Sequence, residues 1–222
     1  MSVTVAFTPA TSLGEIVAQN PDTAKILSRH GLDFCCGGQR SLADACAAEG
    51  LDTEQVLAAL TVVPAKQGET DWTAVSAAEL IQHIVSVHHD YLWREMPQLS
   101  ALATKVARVH GANHPELKEI ATIYQQLVAE LTDHLLTEEL EQFPAIADGS
   151  GWSREAVEEL IGEHDAAGEL LTQLRQLSYE YTVPSDGCAS YRLLYQELEA
   201  LESDLHLHIH KENNILFPGL LK

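Results

Sequence analysis

The pattern His-x3-Glu-x4-Phe-Pro stands twice in this chain, at His134, Glu138, Phe143 and Pro144 and again at His208, Glu212, Phe217 and Pro218. A histidine and a glutamate four residues apart lie one turn from each other on one face of a helix, so both side chains reach a common point beside it. A second pattern, His-Asp-x7-Gln-Leu, is also repeated, from His89 to Leu99 and from His164 to Leu174. His89 precedes His134 by 45 residues, and His164 precedes His208 by 44. The chain therefore reads as two similar helical pairs, each offering a lone histidine from its first helix and a His–Glu couple from its second. Pairing the halves brings four histidines and two glutamates together.

The rest of the sequence supplies the helices this requires. Ser76-Ala-Ala-Glu79 is a capping box, and four long helical patterns follow at about 76–109, 114–147, 153–180 and 188–216. Breaks at 111–115, 148–151 and 183–187 separate them. Helices of that length run roughly 40 to 50 Å, and short connections favour antiparallel neighbours, which predicts an all-α, up-down-up-down four-helix bundle over 75–222. Residues 1–63 read as a small helical domain. Ser12-Leu-Gly-Glu15 is another capping box, Asn20-Pro21 caps and starts a helix ending at Gly31, and Ser41 and Asp52 open two more. Residues 64–74 mix Pro, Gly and charge without periodicity and read as a linker.

Composition narrows the partners. A net charge of -20, from 13 basic and 33 acidic residues, repels a phosphate backbone and argues against nucleic acid. A metal cation suits it better. No apolar run approaches the roughly 18 residues of a membrane span, and the N-terminus lacks the basic and apolar regions of a leader, so the expected setting is cytoplasmic. Four cysteines, Cys35, Cys36, Cys46 and Cys188, are too few for a disulfide framework. Adjacent Cys35 and Cys36 have Cα atoms about 3.8 Å apart, too close for an unstrained bridge.

Six imidazole and carboxylate donors exceed what one tetrahedral zinc accepts. Two metals sharing both glutamates would each receive two nitrogens and two oxygens, leaving room for a bridging oxo or hydroxo group and an exogenous ligand. Such donors with open positions suit iron or manganese, with two non-haem iron ions as the first choice, held by His89, His134, Glu138, His164, His208 and Glu212. Asp90, Glu139, Glu163 and Asp165 flank them as candidates to orient the ligands or carry protons. His206 and His210 sit about 200° from His208 around a helix, which predicts that they face solvent. His88 turns about 100° from His89, and His30, His83, His110 and His114 have no partner in the repeat.

Lone His-Asp helices alternating with His-x3-Glu helices resemble the hemerythrin-like bundle rather than the ferritin type, whose helical motif is Glu-x-x-His. Within that group, residues 163–171 (EHDAAGELL), 208–218 (HIHKENNILFP) and 33–38 (DFCCGG) resemble the iron–sulfur cluster repair di-iron proteins of bacteria. The resemblance implies the same six ligands, with Glu138 and Glu212 bridging. Four histidines rather than the five of oxygen-carrying hemerythrins leave the irons less protected, which suits donation over oxygen storage. What the resemblance implies is repair of clusters damaged by nitric oxide or peroxide, with damaged or apo iron–sulfur proteins as partners, nitric oxide or oxygen as small ligands, and a homodimer as an assembly the family allows. Reduction of nitric oxide or peroxide at the same site, and gas or redox sensing, are the competing functions. Cys35 and Cys36 are the candidate thiols: Gly37 and Gly38 let the chain turn into a helix near Ser41 whose first amides would lower a thiol pKa. Cys46 and Cys188 lack such a context.

Overall fold

The computed structural model describes residues 7–64, 70–149 and 151–220. Residues 65–69 of the expected linker, Ser150 of the second interhelical break and the first six residues lie outside this description. Helices α1 (Leu13–Gln19), α2 (Ala24–Arg29), α3 (Leu42–Ala48) and α4 (Thr53–Thr61) come first, followed by α5 (Ala77–Ile84), α6 (Asp90–His110), α7 (Glu116–Thr137), α8 (Phe143–Asp148), α9 (Arg154–Leu177), α10 (Ala189–Lys211) and α11 (Phe217–Leu220). The fold is all-α. No helix among the described residues is long and apolar enough to cross a membrane.

The chain divides into two compact units, Ile81–Leu205 and Met1–Leu80 with His206–Lys222. In the first, α6, α7, α9 and most of α10 pack as a helical bundle. Their apolar stripes recur at three- and four-residue spacing and bury Leu92, Met96, Leu99, Ala103 and Val106 of α6 with Leu117, Ile120, Tyr124, Leu127 and Leu131 of α7. Leu170, Leu171 and Leu174 of α9 and Leu194, Leu198, Leu201 and Leu205 of α10 complete this core. In the second unit, α1 to α4 enclose Leu13, Ile16, Val17, Leu27, Phe34, Leu42, Cys46, Val56 and Leu60, and Ile209 from the end of α10 belongs to the same core.

The caps act largely as the sequence predicts. Ser76 and Glu79 form a reciprocal box, with the Glu79 N–H donating to Ser76 Oγ at 3.3 Å and the Ser76 N–H to Glu79 Oε2 at 3.0 Å. Ser12 Oγ accepts the Glu15 N–H, while the Glu15 carboxylate accepts from Gln19. Asn20 departs from its expected role: its side chain caps nothing and donates instead to Val63 O at 3.2 Å, because it is buried and that carbonyl is its partner. The third long helix ends at Leu177, short of the expected 180. Tyr179, Glu180 and Tyr181 take φ of 50°, 57° and 55°, a left-handed turn that no α-helix can include. Ser178 Oγ accepts the Tyr181 N–H, and Arg175 holds both Glu180 and Glu202.

Candidate metal centre

Three of the four long helical segments contain a π turn, and each π turn holds a predicted ligand. Val85–His89 ends on His89, Glu138–Gln142 opens on Glu138, and Glu212–Leu216 opens on Glu212. The defining five-residue bonds run from the N–H of Asp90 to Val85 O, of Phe143 to Glu138 O, and of Phe217 to Glu212 O. In two cases the sequence supplies the cause. Pro144 and Pro218 lack an N–H, and their rings would strike the carbonyl four residues back, so a wider turn just before each relieves both problems.

Within Ile81–Leu205 the structure brings His89, His134, Glu138 and His164 together, each at most 5% exposed. His89 Nε2 and His134 Nε2 each lie 3.4 Å from Glu138 Oε2, and His134 Nε2 lies 3.1 Å from His164 Nε2. His134, Glu138 and His164 offer ligand atoms that are all within 4.8 Å of one another. The outer ring nitrogens are engaged by carboxylates. His89 Nδ1 donates to Glu139 Oε1 at 3.0 Å, an oxygen that also accepts from Trp93 Nε1 at 2.8 Å, and His134 Nδ1 donates to Glu163 Oε2 at 2.6 Å. A proton held on Nδ1 leaves Nε2 as a lone pair, the form in which imidazole binds a cation. Phe143, from the repeated Phe-Pro, stacks on the His89 ring at 5.5 Å. Buried lone pairs converging at these distances fit a cation, and the donor set without thiolate fits iron.

Among the four flanking candidates, Glu139 and Glu163 contact His89 and His134, whereas Asp90 and Asp165 are exposed. Their positions explain the split: Glu139 follows Glu138 into the π turn and is swung toward His89, while an aspartate one residue past a ligand on a helix points outward. Trp93, one turn after His89, was not anticipated. His88 is buried and its Nδ1 donates to Asp204 Oδ1 at 2.9 Å.

Within the other unit, His208 Nε2 lies 2.9 Å from Glu212 Oε1, both groups being buried. The expectation that His206 and His210 face solvent fails. His206 is half-buried and His210 is 3% exposed, and both rings pack edge-on against Phe34 at 5.9 and 6.0 Å. The N-terminal helices cover that face of α10, which the periodicity of α10 alone could not reveal. Burial, aided by the charge of Lys211, pulls the His210 pKa down to about 4.

The thiol loop lies in the same unit. Asp33 Oδ1 accepts the N–H groups of Cys35 and Cys36 at 3.0 Å each and the Cys35 thiol at 3.1 Å, and Oδ2 accepts the Gly37 N–H at 2.8 Å. Cys35 is buried and Cys36 half-buried. The neighbouring Cys36 thiol, with burial, pushes the Cys35 thiol well above the usual range, so the expected lowering by the helix that starts at Leu42 does not operate on it. The Cys188 thiol, by contrast, is lowered. It is exposed at the start of α10, where the Tyr191 N–H and then His110, whose Nε2 lies 3.2 Å away, bring it down to about 7.

The hemerythrin HHE cation-binding domain matches residues 80–220, and a domain of unknown function found at the N-terminus of ScdA matches residues 10–63. The iron–sulfur cluster repair protein ScdA of Staphylococcus haemolyticus is 35% identical over 211 residues, covering 92% of this chain and 95% of the relative. The iron–sulfur cluster repair protein YtfE of Cronobacter sakazakii is 37% identical over 210 residues, covering 94% and 95%. The chain belongs to this hemerythrin-like family of iron–sulfur cluster repair proteins. Its hemerythrin-like domain is a cation-binding domain, and the buried histidines and glutamates described above lie within the matched span. The YtfE protein of Escherichia coli, at 36% identity and 94% coverage of this chain, belongs with the same relatives.

Proposed function

We propose that His89, His134, Glu138, His164, His208 and Glu212 together hold two non-haem iron ions, and that the protein repairs iron–sulfur clusters damaged by nitrosative or oxidative stress by supplying iron from that centre. The observation that carries this reading is the orientation of His89 and His134. Each presents Nε2 to one oxygen of Glu138 at 3.4 Å while a carboxylate, Glu139 or Glu163, secures its Nδ1 proton. Glu212 stands one turn from His208 as Glu138 stands one turn from His134, which supports Glu138 and Glu212 as the two shared carboxylates. Such a centre, when bound, supplies labile iron and open positions for a small ligand such as nitric oxide or oxygen. The chain's own part is to orient the imidazoles, keep the donors dry and hold protons on the outer nitrogens. Damaged or apo iron–sulfur proteins are the recipients, in a cytoplasmic setting.

The test is metal analysis with an absorption spectrum on protein purified without chelator, followed by incubation with an apo iron–sulfur protein. The reading expects a binuclear iron spectrum and loss of that iron as the recipient regains its cluster. Glu212→Leu should lower iron content while leaving a helical protein, since an apolar side chain tolerates the buried position better than an uncompensated charge. Iron that stays put while nitric oxide or peroxide is reduced through many cycles with an electron donor would replace donation by catalysis.

A further inference from the structure

Asn214 sits inside the π turn Glu212–Leu216, two residues past Glu212, and its half-buried side chain meets the loop between α2 and α3. Its Nδ2 donates to Cys35 O at 2.9 Å and Phe34 O at 3.2 Å and lies 3.3 Å from His210 Nδ1, while its Oδ1 accepts from Gln39 Nε2 at 3.2 Å. Two glycines make room for it. A Cβ on Gly14 would come to 2.7 Å from Asn214 Oδ1, and a Cβ on Gly38 would run into both Asn214 Oδ1 and Phe34 O. The side chain that reaches the backbone of the thiol pair therefore comes from the turn that begins at a candidate ligand, through a slot that only glycine leaves open.

We propose that Asn214 is a positioning residue that couples the Glu212 turn to the Cys35–Cys36 loop, so that the reactivity of the Cys36 thiol follows occupancy of the metal centre. The inference rests on the reading of Glu212 as a metal ligand. A π turn holds one residue more than the α register, so tightening it rotates every later residue by about 100° and shifts it by about 1.5 Å. Hydrogen bonds do not survive displacements of that size. When Glu212 is pinned, Asn214 stays seated and the carbonyls of Phe34 and Cys35 are held. When Glu212 is released, the turn can change register, the clasp opens and the loop loosens. Cys36 reports this because it is half-buried, whereas Cys35 points into the core.

The test compares iron-loaded and metal-depleted full-length protein, alkylated with iodoacetamide and read residue by residue by mass spectrometry so that exposed Cys188 is counted separately. Metal content is measured on the same samples. In the native sequence, Cys36 should react about fivefold more slowly when iron is bound, the scale of one hydrogen bond. In Asn214→Ala, iron should still bind but Cys36 should react fast in both states. Asn214→Asp keeps the size and replaces the donors by an acceptor facing two carbonyls, so it should behave like the alanine variant even if that variant folds poorly. Equal Cys36 rates in loaded and depleted native protein, or a metal dependence that persists in the aspartate variant, would overturn the coupling alone. Native protein that takes up no iron would instead remove the ligand reading, and the coupling with it.

Discussion

Glu139 and Glu163 share one task, although the sequence places them differently. One follows Glu138, the other precedes His164, and each holds the Nδ1 proton of a histidine on a different helix. Glu139→Gln and Glu163→Gln should each lower metal affinity by about 10- to 100-fold, measured by chelator competition, because an amide holds the imidazole proton less firmly than a carboxylate. The candidate ligands could be named from the sequence, since a spacing of four on a helix and its repetition are geometric statements. Their supports were not, because a hydrogen bond between helices depends on packing that local sequence does not encode. Cys188 makes the same point in part. The local Tyr191 N–H is the first cause of its lowering, and the fold adds His110 at 3.2 Å. Its alkylation rate should rise with pH to half its maximum near pH 7, where half of the thiol is ionised. His110→Ala should move that midpoint upward, as seen in the pH profile of single-residue labelling.

At the scale of elements, the three π turns depart most from a simple helical reading. Uniform 3.6-residue helices group the candidate ligands on shared faces but do not give the widened turns at His89, Glu138 and Glu212. Two of the three had a visible signal, the Phe-Pro that follows them, whereas Val85–His89 is followed by no proline at the matching place. Replacing Pro144 and Pro218 together by alanine restores both N–H groups and lets the helices close into the α register. The expected outcome is metal affinity lower by about tenfold, comparable to loss of an orienting partner, with an unchanged far-ultraviolet circular dichroism spectrum. Unaltered affinity would mean that the widened turns are incidental to the donors. The left-handed run Tyr179–Tyr181 was likewise invisible in advance, as these residue types rarely take positive φ and are held there by Ser178 and Arg175.

For the molecule as a whole, the end of α10 serves two purposes. Residues from His206 onward carry His208 and Glu212 and also supply Ile209 and the packing faces of His206 and His210 to the N-terminal core. A chain ended after Leu205 should therefore expose Cys46, fully buried in that core, to N-ethylmaleimide, and should lose iron as well. Cys46 that stays protected would show that the N-terminal helices close their core without α10. The sequence alone determined the helical class, the repeat and the identity of the candidate ligands, because each follows from helical periodicity and from comparing one half of the chain with the other. Only the tertiary structure decided which carboxylate supports which histidine, which thiol is lowered and that His210 is core rather than surface. The carboxylate–histidine pairs and the burial of His210 depend on neighbours distant in the chain, and the Cys188 thiol depends on His110 in addition to the nearby Tyr191 N–H.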